Sequence, residues 1–79
     1  MADNNVIVYS TNTCPWCVKV KDYLTSNNIS FTEYNVQQDT ERAIEMIEKS
    51  GQRGVPVVDI NDNIVIGFDK ATIDDLLGL

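Results

Sequence analysis

Residues 6–9, Val-Ile-Val-Tyr, form an unbroken β-branched and aromatic run, and six residues later Pro15 opens an amphipathic segment. A run without polar alternation predicts a strand covered on both faces. Proline fits best at the first position of a helix, where its missing N–H is no loss. The chain therefore reads as a buried strand, a short polar loop and a helix over Pro15–Ser26, with Cys17, Val20 and Leu24 on its inner face and Lys19 and Asp22 facing away. Both cysteines of the chain, Cys14 and Cys17, lie at this junction.

The rest of the pattern completes one α/β unit. Residues 30–36 predict a second strand, and Asp39 can cap a helix over Thr40–Ser50 that Gly51 ends. Ala43, Ile44 and Ile47 give that helix an apolar face, while the Glu45/Lys49 pair reads as solvent surface. Residues 56–60 and 64–66 flank the polar turn 61–63 as a hairpin, and Asp69 can cap a last helix carrying Ala71, Ile73, Leu76 and Leu77. The order β-α-β-α-β-β-α implies a four-stranded mixed sheet with helices on both faces, the first two strands parallel and the hairpin antiparallel. With 79 residues, a single domain spanning 1–79 is expected. Open sheets of this kind work beyond the carboxyl ends of their parallel strands, where the cysteine loop falls.

Composition narrows the chemistry. Twelve acidic against six basic residues, net −6, disfavour nucleic acid and anionic lipid as partners. No apolar run approaches the ~20 residues of a membrane span, and no signal-like start is present, so a reducing cytoplasm is the expected location. Histidine is absent. A structural zinc site wants four ligands, usually sulfur or imidazole, and the chain offers two, so no metal is expected. Two thiols three residues apart cannot staple distant segments, but they can form a local disulfide. At a helix N-terminus, orphan N–H groups favour thiolate over thiol, which suits Cys14 as nucleophile. Cys17, deeper and facing the core, suits the resolving role. The bland alternative is that both are small core residues.

Val8-Tyr9-Ser10 leading into Cys14-Pro15-Trp16-Cys17, then Gly54-Val55-Pro56-Val57 and Gly67-Phe68-Asp69, resemble the dithiol glutaredoxins of the thioredoxin-like superfamily along essentially the whole chain. The short length and Gly67-Phe68 are also similar to NrdH-type redoxins. The resemblance implies a thioredoxin-like fold and a dithiol-disulfide oxidoreductase that reduces protein or glutathione mixed disulfides through Cys14 and Cys17. It implies that Trp16, Val55, Pro56 in cis, Gly67, Phe68 and Asp69 receive the disulfide substrate or glutathione. No cofactor is expected to be tightly bound, glutathione being a co-substrate and a monomer the expected state.

Thr11 stands where the family usually carries a lysine, Gly54 where threonine is common, Ile66-Gly67 where two glycines are usual, and Lys70 where an acidic residue is usual. These departures imply weaker glutathione binding, with Arg53 or Lys70 as substitutes for the lost charge. They leave a flavin-dependent reductase as an alternative electron donor. Two rival functions stay open at this point: iron-sulfur cluster binding through Cys14 and glutathione, and an inert adaptor.

Overall fold

The structure, a computed structural model, describes residues 5–79. In chain order the elements are β1 (Val6–Ser10), α1 (Pro15–Ser26), β2 (Thr32–Asn35), α2 (Thr40–Ser50), β3 (Val57–Ile60), β4 (Asn63–Ile66) and α3 (Lys70–Leu77). One sheet runs β2-β1-β3-β4, with β1 parallel to β2, β3 antiparallel to β1, and β4 antiparallel to β3. This is the thioredoxin-like order the sequence implies.

The unbroken apolar run of β1 is explained by what it meets. Val6 and Val8 join Val58, Ile60 and Val65 of the sheet, Val20 and Leu24 of α1, and Ile73 of α3 in one core. The intervening Ile7 and Tyr9 point the other way, to Val57 and to Met46 of α2. Helices therefore cover both faces, and a strand between two covered faces has no side chain to give to water. Residues at the ends of the helices fix their limits. The Asp39 carboxylate accepts Arg42 N–H at 3.2 Å, the Asp69 carboxylate accepts Thr72 N–H at 3.3 Å, and Gly51 closes α2 at φ 73°.

Several expectations shift. The second strand covers Thr32–Asn35 rather than residues 30–36, the stretch in parallel register with Ile7–Ser10, and Val36 N–H adds one further bond to the Ser10 carbonyl at 2.8 Å. The hairpin turn is the pair Asn61-Asp62, both at positive φ (51° and 71°), as tight two-residue hairpin turns require, and Asn63 opens β4. β3 opens at Val57, after Pro56, which has no N–H to give to a ladder. On α2 the buried residue is Met46, while Ile44 is 52% exposed. On α3, Ile73 is buried and Ala71 is exposed.

The Glu45/Lys49 pair is not ordinary solvent surface. Lys49 Nζ donates to buried Asp59 Oδ2 at 2.8 Å and to Tyr9 Oη at 2.9 Å, and Tyr9 Oη–H donates to Glu45. Burial works against the Lys49 charge, yet its hydrogen bonds to Asp59 and Tyr9 hold its pKa above the usual lysine range. These bonds orient α2 and turn Ile44 outward. No helix among the described residues is long and apolar enough to cross a membrane.

Candidate active site at the Cys14–Cys17 pair

The loop 11–14 rises from the end of β1 and is tied down on both sides. Ser10 is fully buried, and its Oγ–H donates to Glu33 Oε2 of β2 at 2.6 Å, an oxygen that Lys21 of α1 also reaches at 2.6 Å. The hydrogen bonds from Lys21 and then Ser10 hold the Glu33 carboxyl below the usual carboxylate range. Lys21 is thus paired with Glu33 across the α1–β2 gap. Asn12 N–H donates to Gln37 Oε1 at 3.1 Å, and Asn35 Nδ2 donates to Asn12 Oδ1 at 2.5 Å, which fixes the loop to the end of β2.

Cys14 is the N-cap of α1 and Pro15 its first residue, as the sequence implies. The two cysteines are joined in a disulfide with their Cα atoms 5.2 Å apart, so the structure shows the oxidised form. Cys17 N–H donates to Cys14 Sγ at 3.1 Å, and the Cys14 carbonyl accepts Val18 N–H at 3.2 Å. One orphan amide of the helix N-terminus is therefore aimed at the Cys14 sulfur, and the first turn carries no acidic residue. On reduction, that donor favours negative charge on Cys14. The two sulfurs differ in access, Cys14 being half-buried and Cys17 only 1% exposed.

Next to the pair, Trp16, Val55, Pro56, Gly67 and Phe68 line a groove of about 270 Å³. Five residues that the family resemblance grouped as a substrate site thus meet in space, although they come from three separate segments. The Val55–Pro56 bond is cis, as expected. Gly67 N–H donates to the Pro56 carbonyl at 2.8 Å, which joins the β4–α3 turn to the proline loop. Gly67 sits at φ 76°, a conformation that side chains rarely adopt. Asp69 does not line the groove. Its carboxylate accepts Thr72 N–H and, at 2.8 Å, Thr72 Oγ1–H, so it acts as the cap of α3 beside the site.

Support for the groove comes from Tyr23, which sequence reading left aside, and from two lysines around it. The Tyr23 ring packs against Phe68 with centroids 5.5 Å apart, and its hydroxyl donates to Asp74. Lys70, a proposed substitute for the lost lysine, pairs with Asp74 at 2.9 Å. Lys19 places its ammonium 4.4 Å from the centroid of the Trp16 ring. The i,i+3 spacing of Trp16 and Lys19 on one helix was the sequence signal for this contact. No group of three or more His, Cys, Asp or Glu placed to hold a metal occurs among the described residues.

A family model described as Glutaredoxin matches residues 6–65. The chain belongs to the glutaredoxin family and is a dithiol-disulfide oxidoreductase of thioredoxin-like fold. It is 53% identical over 70 residues to an uncharacterised glutaredoxin-like 8.6 kDa protein in the rubredoxin operon of Clostridium pasteurianum, a match covering 89% of this chain and 93% of that one. Glutaredoxin 3 of Escherichia coli strain K12 is 35% identical over 74 residues, covering 94% of this chain and 89% of the other. The crystal structure of a thioredoxin-like protein superposes with a TM-score of 0.86 at 29% identity, covering 91% of this chain and 99% of that one.

Proposed function

We propose that this chain reduces disulfides in protein clients and mixed disulfides of glutathione, with Cys14 attacking and Cys17 resolving. The observation that carries the assignment is the unequal setting of the two sulfurs: Cys14 is accessible and accepts the Cys17 N–H, whereas Cys17 lies in the core. The Cys14 thiolate attacks one sulfur of the substrate, whose S–S bond breaks; the departing thiolate takes a proton and leaves. The Cys17 thiolate then attacks Cys14 Sγ, the mixed disulfide breaks, and the second substrate thiol departs. The substrate has gained two electrons and two protons, and the protein is left as the Cys14–Cys17 disulfide.

Two electrons from thiols or from a flavin-dependent reductase restore the dithiol. Thr11, in place of a cation, supports weak use of glutathione as co-substrate, and leaves room for the flavoenzyme as main reductant. The groove of Trp16, Val55, Pro56, Gly67 and Phe68 receives the chain that flanks the substrate disulfide, with Asp69 at its border. The protein acts as a monomer in the cytoplasm.

Incubation of the single-cysteine variants with oxidised glutathione, followed by mass spectrometry, tests the roles. Cys17→Ser is expected to accumulate one glutathione adduct on Cys14, and Cys14→Ser to accumulate little. Equal trapping by both variants would abolish the distinction.

A further inference from the structure

The six lysines and arginines are not equally available. Lys21 is paired with Glu33, Arg42 with Glu45, Lys49 with Asp59, and Lys70 with Asp74, all at 2.6–2.9 Å. Among the described residues, Lys19 and Arg53 make no ion pair. Lys19 is also held in place, because its ammonium rests 4.4 Å from the centroid of the Trp16 ring. Trp16 is 56% exposed and lines the groove beside the dithiol. Against a wall of the groove, Trp16, there thus rests a cation that pairs with no carboxylate among the described residues, in a protein of net charge −6.

We infer that Lys19, seated on Trp16, is the residue that binds a carboxylate of the disulfide substrate. This deepens the proposed function and rests on the groove being where the substrate lies. A lysine on an aromatic face keeps its three N–H donors directed elsewhere, since the ring attracts the charge without accepting those bonds in full. Holding the side chain on the ring also lowers the entropy lost when a carboxylate arrives. The cation missing at Thr11 is therefore supplied from one turn into α1, on the opposite side of the cysteines in sequence. The carboxylate can belong to glutathione or to an acidic residue of a protein client, and the test separates the two.

Rates are measured for wild type, Lys19→Gln and Lys19→Arg on two pairs of substrates. In the first pair, one neutral peptide thiol is capped either by glutathione or by 2-mercaptoethanol, which has no carboxylate. In the second pair, a peptide disulfide carries Asp or Asn beside the cysteine. An exposed charge contact is worth about 0.2–1 kcal/mol, so Lys19→Gln should lower kcat/KM by up to about fivefold on the carboxylate-bearing member of at least one pair. Loss within the first pair identifies glutathione, and loss within the second identifies an acidic client. The neutral members should be unchanged, the loss should shrink at high salt, and Lys19→Arg should retain activity.

A fall of equal size on neutral and charged substrates would overturn the inference, by showing that Lys19 acts on the Cys14 thiolate instead. Unchanged rates on all four would overturn it as well. If wild type reduced none of the four, the proposed function itself would fail, a result distinct from both.

Discussion

Behind α1 and α3 the sheet buries an aliphatic cluster, Val6, Val8, Val58, Ile60 and Val65, against Val20, Leu24 and Ile73, with Ser10 at its edge bonded to Glu33. Behind α2 it buries Tyr9, Met46 and Val57, together with the Asp59 carboxylate. The centre of the first face is held by apolar area, which is nondirectional and indifferent to pH. The second depends on hydrogen bonds and an ion pair among Tyr9, Glu45, Lys49 and Asp59, which demand geometry and a protonation state. The helix that carries the dithiol rides on the apolar face. Its inner side is thus set apart from the Tyr9–Glu45–Lys49–Asp59 cluster, while its polar ties, Lys21 to Glu33 and Tyr23 to Asp74, lie at the rim, and the comparison can be broken from either side.

The largest effect is expected from Leu24→Ala. Leu24 is fully buried in the aliphatic core, and removal of such a side chain costs about 2–5 kcal/mol, a large fraction of what a domain of this size has. Urea unfolding measures it, and a loss below about 1 kcal/mol would show that this face repacks freely. A smaller loss, about 1–3 kcal/mol, is expected for Asp59→Ala, which leaves Lys49 without its carboxylate. At a temperature where the variant is folded, its disulfide reduction rate should match wild type. A several-fold fall in rate would show that the α2 face reaches the dithiol after all.

The smallest effect is expected from Tyr9→Phe, about 0.5–1.5 kcal/mol at neutral pH. Its signature is in the pH dependence. Burial and then the bond to Glu45 raise the Tyr9 pKa, and Lys49 is raised as well. Both groups are therefore favoured in their protonated forms by folding. The stability they give is complete below the unfolded values, near 10 and 10.4, and is lost as pH rises through the higher native ones. Urea midpoints between pH 8 and 11 should fall less steeply for Tyr9→Phe than for wild type. Leu24→Ala should keep the wild-type slope, since it leaves those groups untouched.

What the sequence made readable follows the range of the interactions involved. The limits of α1 and α2 are set by neighbours, Cys14 and Pro15 at one start, Asp39 and Gly51 around the other helix, and these were legible residue by residue. The inner face of α2 was not, because its rotation is fixed by Lys49 reaching Asp59, 10 residues away, and Tyr9, 40 residues away. Ile44 looks like a core residue until those bonds are known, and Met46 takes its place. At the site, the cysteines could be found from local spacing, since a strand, a loop and a helix-start proline announce them. The convergence of Trp16 with Val55, Pro56, Gly67 and Phe68 is long-range and was readable only through family resemblance. The partnership of Lys70 with Asp74, which removes it as a substitute for the cation missing at Thr11, depends on side-chain geometry that spacing alone permits but does not choose.

The absence of histidine has a consequence for anyone measuring this protein. Apart from the thiols, the pKa displacements among the described residues are directed away from neutrality: Glu33, Glu45 and Asp74 downward, Tyr9, Tyr23, Arg42, Lys49 and Lys70 upward. The interval in which imidazole would ordinarily respond is left, among side chains, to the two thiols. A pH–rate curve for this enzyme between about 5 and 9, taken with a substrate that does not itself ionise there, then follows its sulfur without the imidazole ionisation that obscures such curves where histidine sits beside the reacting group.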